Sequence, residues 1–99
     1  MLDLQHLKTF MTVATYMSFT RAAKELDYSQ SSVTIHIKQL ERELGVRLFN
    51  RFRFAHKIAL TDAGRRAYLY AARLLALAEE ARVAVQPKRI RGTEEGRRR

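Results

Sequence analysis

Within the first 45 residues the apolar side chains fall into three short runs with helical steps, and only a few residues separate each run from the next. Leu4, Leu7, Phe10, Met11, Ala14 and Met17 recur at threes and fours, which defines one face of a helix over about residues 4–17. Ser18-Phe19-Thr20 interrupts it. Ser18 and Thr20 are both candidate N-caps, because a hydroxyl can accept from the free amides of a helix start. Ala22, Ala23 and Leu26 give a short second helix whose small side chains permit close approach to a neighbour. Asp27-Tyr28-Ser29 makes a second break, with Ser29 as the cap of a third helix. In that helix Val33, Ile37, Leu40 and Leu44 are expected to face inward, and Gly45 ends it in a left-handed conformation. Gln30, Ser31, Thr34, Lys38 and Arg42 fall largely on the opposite side. Short helix, tight turn and a second helix with a polar outer face form a helix-turn-helix arrangement.

The period changes after Leu48. Aromatic and basic residues alternate through Phe49, Asn50, Arg51, Phe52, Arg53 and Phe54, and Lys57–Leu60 is a second extended run. A two-stranded wing turning at Ala55-His56 is predicted, although the usual Asn-Gly or Asp-Gly pair is missing. Alternation sets Arg51 and Arg53 on one face, with Phe52 and Phe54 turned to the core. Thr61-Asp62 opens a long helix, with a hydroxyl cap and a carboxylate at the positive end of the helix dipole, and Pro87 stops it. Ala67, Ala71, Leu74, Ala78, Ala81 and Val85 make a heptad-like seam on this helix, suited to close pairing with another helix. The expected organisation is mainly α: a winged helix-turn-helix over residues 1–60, a linker and dimerisation helix over 61–86, and a basic flexible tail over 87–99.

Ninety-nine residues suit one domain, and a core of that size is marginal enough to benefit from association. The net charge of +9 favours an anionic partner, nucleic acid before membrane. Only part of it comes from the arginine-rich tail, so the remainder is basic in its own right. No cysteine is present, which removes disulfide and thiolate-metal chemistry and fits a cytoplasmic setting. The start lacks the basic and apolar regions of a signal peptide, and no apolar run is long enough to span a bilayer. His6, His36 and His56 are far apart and follow no metal-ligand spacing. No phosphate-binding glycine loop or nucleophile arrangement occurs, so neither a cofactor nor an enzymatic function is expected.

A helix of this kind fits the major groove of B-DNA, where each base pair shows a distinct pattern of donors and acceptors. Gln30 can bond adenine in bidentate fashion, Ser31 and Thr34 are short enough for close approach, and the Thr34 methyl can meet a thymine methyl. Lys38, one turn on, suits a phosphate or a neighbouring base. Ser29 and the free amides beside it suit a phosphate. Arg51 and Arg53 suit the adjacent minor groove. A sequence-independent architectural binder would need only cations, and the polar start of the third helix argues against it. A pure dimerisation module would leave that face unused.

Taken in order, several stretches resemble the N-terminal DNA-binding domain of LysR-type transcriptional regulators. They are Leu7-Lys8-Thr9-Phe10, Ser18 to Leu26, Ser29 to Thr34, Leu40-Glu41, Leu44-Gly45, Leu48-Phe49-Asn50-Arg51 and Leu60-Thr61-Asp62-Ala63-Gly64. The resemblance covers roughly residues 3–85. It implies a cytoplasmic, nucleoid-associated bacterial regulator that binds interrupted inverted repeats in double-stranded DNA near promoters. It implies a homodimer paired through the helix from Thr61, or a tetramer when full length. A small-molecule effector would act through a further C-terminal domain, expected to lie beyond Arg99. By position, the family's base-reading residues fall on Gln30, Ser31 and Thr34, and its wing contacts on Arg51 and Arg53. Thr20, Arg21, Ser29, Ile35 and Lys38 are candidate base or phosphate contacts. Three departures stand out. Ser31 replaces a frequent proline. Ile35 replaces a frequent arginine, so a guanine-reading cation is not carried over to it. The wing is slightly long and lacks the common glycine.

Overall fold

The structure, a computed structural model, describes residues 1–52 and 57–87, and of Phe52 the backbone alone. Four helices and two strands follow the order α1 (Leu4–Tyr16), α2 (Phe19–Leu26), α3 (Gln30–Leu44), β1 (Phe49–Phe52), β2 (Lys57–Leu60) and α4 (Asp62–Val85).

Each helix starts on a side-chain oxygen. Asp3 accepts from the Gln5 and His6 amides, Ser18 from Arg21, Ser29 from Ser32 and Thr61 from Gly64. Such caps satisfy amides that have no partner inside the helix. Ser18 therefore caps α2, and Thr20 sits within its first turn. The ends are equally well defined. Met17, Asp27 and Gly45 take left-handed conformations with φ of 50°, 58° and 73°. Glycine bears this at little cost, whereas Met17 and Asp27 are held there by the tight connections on either side.

Leu7, Phe10 and Val13 of α1, Ala22 and Ala23 of α2, and Val33, Ile37 and Leu40 of α3 meet in one buried core with Leu48, Phe49 and Ala71. Phe10 and Phe49 are fully enclosed, with ring centroids 5.5 Å apart. Enclosure of each such side chain contributes about 1.5–3 kcal/mol. Three residues expected to face inward do not: Leu4, Met17 and Leu44 are all exposed. Leu4 opens α1 and Leu44 closes α3, so each has neighbours on one side only, and Met17 lies outside the helical geometry. Val13 fills the position that the stepping of α1 left out.

The strands pair antiparallel, with Phe49 opposite Leu60 and Arg51 opposite Ile58. The described core aromatic of β1 is thus Phe49, and Arg51, two residues on, is exposed. Arg53, Phe54 and the turn at Ala55-His56 lie outside the described residues, as does the side chain of Phe52. Two contacts seat the sheet. Thr61 donates its amide to the Leu48 carbonyl at 3.0 Å and its hydroxyl to the Arg47 carbonyl at 2.7 Å.

Helix α4 does not stand apart from this core. Ala71 is buried in it, and Ala67, Tyr68 and Leu75 pack against it. The packed unit therefore continues past Leu60. Beyond Leu75 only Ala78 is partly covered, and Leu77, Ala81, Val83 and Val85 are exposed. The small-residue seam is divided: its first two alanines are used within the chain, and Leu74, Ala81 and Val85 are open.

Candidate nucleic-acid interface

Helix α3 presents two unlike faces. Val33, Ile37 and Leu40 are fully or almost fully buried, while Gln30, Ser31, Ile35 and Lys38 are exposed and Thr34 is half-buried. The exposed set begins in the first turn, where backbone amides also point outward. Ser29 is committed to its cap: it accepts from the Ser32 amide at 3.0 Å and donates to the Ser32 hydroxyl at 2.9 Å. Its contribution to an anion site would come through the helix start it fixes. Ile35 is 52% exposed, a large aliphatic surface amid hydrogen-bonding neighbours. Such a side chain has a use where thymine methyl groups line a groove.

The end of α2 that follows Ser18 borders this face. The Thr20 hydroxyl points at Gln30 Oε1, 3.4 Å away, so these two side chains are neighbours. Arg21, also exposed, lies over the Tyr16 ring at 4.9 Å. Phe19 links this end to the wing. Its ring meets Phe49 edge-on at 5.8 Å, and the Arg51 guanidinium lies over it at 4.6 Å. A cation held over an aromatic face is favoured electrostatically, by about 0.5–1 kcal/mol when exposed. Arg51 is thereby stationed beside the first turn of α2. Thr20 thus neighbours Gln30, while Phe19, next to it in the chain, carries Arg51. Arg53 lies outside the described residues.

Two positioning groups were not evident from the sequence. Glu41 accepts from the Leu48 amide at 2.8 Å and lies 4.0 Å from Arg47, so a carboxylate on α3 fixes the entry to β1. Its only sequence signal was a position four residues before Gly45. Phe19 was read as part of a break and proves to be the platform for Arg51. Elsewhere, the Gln5 amide bonded to Asp3 holds the Asp3 carboxyl below its ordinary range. Burial, with His6 nearby, pushes the His36 imidazole down. On the exposed part of α4, Arg82 bonds to Glu79 at 2.5 Å and lowers its carboxyl. Among the described residues no cluster of histidine and carboxylate groups could hold a metal ion, and no helix is long and apolar enough to cross a membrane.

This surface has known counterparts. Residues 4–65, more than half of the chain, match the bacterial regulatory helix-turn-helix proteins of the lysR family. The HTH-type transcriptional regulator YwqM of Bacillus subtilis is 44% identical over 88 residues, covering 89% of this chain and 29% of that protein. The regulator CitR of the same organism is 47% identical over 74 residues, covering 75% and 25%. The chain thus spans less than a third of the length of these relatives. Among solved structures, full-length OxyR of Pseudomonas aeruginosa superposes with a TM-score of 0.80 at 31% identity, covering 87% of this chain and 28% of that one. The DNA-binding domain of BenM in complex with benA site 1 DNA superposes with a TM-score of 0.77 at 32% identity, covering 84% and 94%.

Proposed function

Because this chain belongs to the lysR family of bacterial regulatory helix-turn-helix proteins, we propose that it reads double-stranded DNA by setting α3 in the major groove and the wing in the adjacent minor groove. The observation that carries this reading is the split character of α3, whose apolar side is locked into the core while Gln30, Ser31, Thr34 and Ile35 stand along the other. Gln30 and Thr34 read base edges, with Ser31 allowing close approach. Ile35 meets a thymine methyl. Lys38, Arg21 and the capped starts of α2 and α3 hold phosphates, and Arg51 with Arg53 serves the minor groove. Solved relatives bound to DNA support the same assignment, since the BenM domain superposes over most of this chain.

The unit that binds is a dimer paired through the exposed length of α4, and its target is an inverted repeat near a promoter, in the bacterial cytoplasm. The function is regulatory and not catalytic. Tetramer formation and effector control would need more than this chain, which matches less than a third of the length of its relatives.

Selection from a randomised duplex pool at two salt concentrations tests the reading. An enriched inverted repeat is expected. Gln30→Ala should relax preference at one base pair per half-site and weaken binding there by about 1–3 kcal/mol. Salt-sensitive binding with no enriched motif would replace base reading with sequence-independent architectural binding.

A further inference from the structure

His6 on α1 and His36 on α3 face each other across the helix contact, with ring centroids 4.7 Å apart and planes inclined at 36°. The His36 ring also meets Tyr28 nearly edge-on at 5.4 Å, and its Nδ1 lies 2.8 Å from the Thr9 hydroxyl. Thr9 is fully buried. On the same helix Thr12 and Thr15 donate their hydroxyls four residues back, to the Lys8 and Met11 carbonyls. Thr9 is turned to His36 instead. With Thr9 as donor, Nδ1 is an acceptor, and the neutral ring carries its proton on Nε2.

The groups around the pair offer little compensation for added charge. From the start of α1, the Asp3 carboxylate lies 3.7 Å from His6 Nε2. From the connection between α2 and α3, Tyr28 presents its ring, and its hydroxyl accepts from the Gln5 side chain. From α3, Gln39, Arg42 and Glu43 share with Met1, Asp3 and His6 a groove open to solvent. Glu43 is already bonded to the terminal ammonium at 2.6 Å. One carboxylate therefore serves two imidazoles, and Arg42 adds a cation.

We propose that the His6–His36 contact is an acid-sensitive latch that holds the DNA-reading helix against α1 while His36 is neutral and loosens it when His36 is protonated. Protonation of His36 sets a cation against the His6 ring across α1 and α3. It also turns the acceptor that faces the buried Thr9 hydroxyl into a donor, so that hydroxyl must find another partner. Burial and His6 hold His36 below the ordinary imidazole range. The folded chain thus binds fewer protons than the unfolded chain at this site. The stability involved is complete above about pH 6.5 and is lost as the pH falls toward the depressed value.

Thermal unfolding of the 99-residue chain between pH 7.5 and 5.5 tests the latch, with ring proton resonances followed over the same range. The wild type should lose roughly 4–8 °C of melting temperature, with His36 titrating below an unstructured histidine. His6→Gln should lose clearly less. His36→Gln, which keeps an acceptor for Thr9, should show the least dependence. If His36→Gln does not fold, His6→Gln carries the test alone. A melting temperature equally insensitive to pH in all variants, or a loss undiminished in His6→Gln, would overturn the latch. A second measurement rests on the DNA-binding reading: preference for a selected duplex over a scrambled one should fall several-fold at pH 5.5 in the wild type and less in His6→Gln. A pH-independent preference in the wild type would overturn the link to recognition. Failure to bind any duplex at pH 7.5 would count against the DNA reading, and the melting series would still judge the histidine pair.

Discussion

A Cβ built on Gly64 would stand 2.2 Å from the Leu48 carbonyl oxygen, the same oxygen that accepts from Thr61. Gly64 lies in the first turn of α4, where alanine would ordinarily favour the helix by about 1 kcal/mol. The backbone of Leu48 cannot retreat without disturbing the start of β1, so the clash decides the sign. Gly64→Ala should destabilise the chain by about 1–3 kcal/mol, read by urea unfolding; a gain in stability would mean that α4 and β1 are not seated as described. The glycine itself was visible in the sequence as part of Leu60-Thr61-Asp62-Ala63-Gly64, but the oxygen it accommodates was not, because Leu48 is distant along the chain. Glu41 was hidden for the same reason. A carboxylate among cations reads as an ordinary surface ion pair, and only the fold brings the Leu48 amide to it at 2.8 Å.

At the scale of elements, α1 was legible from its period alone, and α2 and α3 because period and cap agree. A helix with one buried face and a hydroxyl before its first turn has little alternative. The wing was legible as a pair of extended runs, but the enclosure of Phe49 was not, since alternation alone does not say which residues of a strand turn inward. Helix α4 was the least legible. Ala67, Ala71, Ala78 and Ala81 look alike in sequence, yet the first two pack within the chain and Ala81 is open. Small residues suit either kind of contact, so composition could not divide the seam. Leu77, 60% exposed, lies on the open length with Val83 and Val85. Leu77→Glu should reduce self-association in sedimentation velocity, with a change in monomer stability within about 0.5 kcal/mol. An unchanged sedimentation coefficient would move the proposed dimer contact away from this part of α4.

Over the whole molecule, 19 cationic side chains against 10 acidic ones predict DNA affinity that falls steeply with salt. Arg51 is stationed over Phe19 at 4.6 Å, so the phosphate or minor-groove contact proposed for it would need little further ordering. Arg51→Ala should lower the slope of log affinity against log salt by about one, and an unchanged slope would remove Arg51 from the contacts. The anionic partner and the helix-turn-helix class were readable from charge and spacing, because neither depends on long-range contacts. The coupling of α4 to the core had to be seen. Its first half is clamped at Ala71, and the same unbroken helix then continues to Val85. Any object gripped by the far half is therefore fixed in rotational phase relative to α3. One residue inserted after Leu75 would swing that far half by about 100° and advance it about 1.5 Å, whereas seven would return it to within about 20°. Helix α4 would thus act as an indexing shaft in the proposed dimer, with the angle between its two copies of α3 counted in residues.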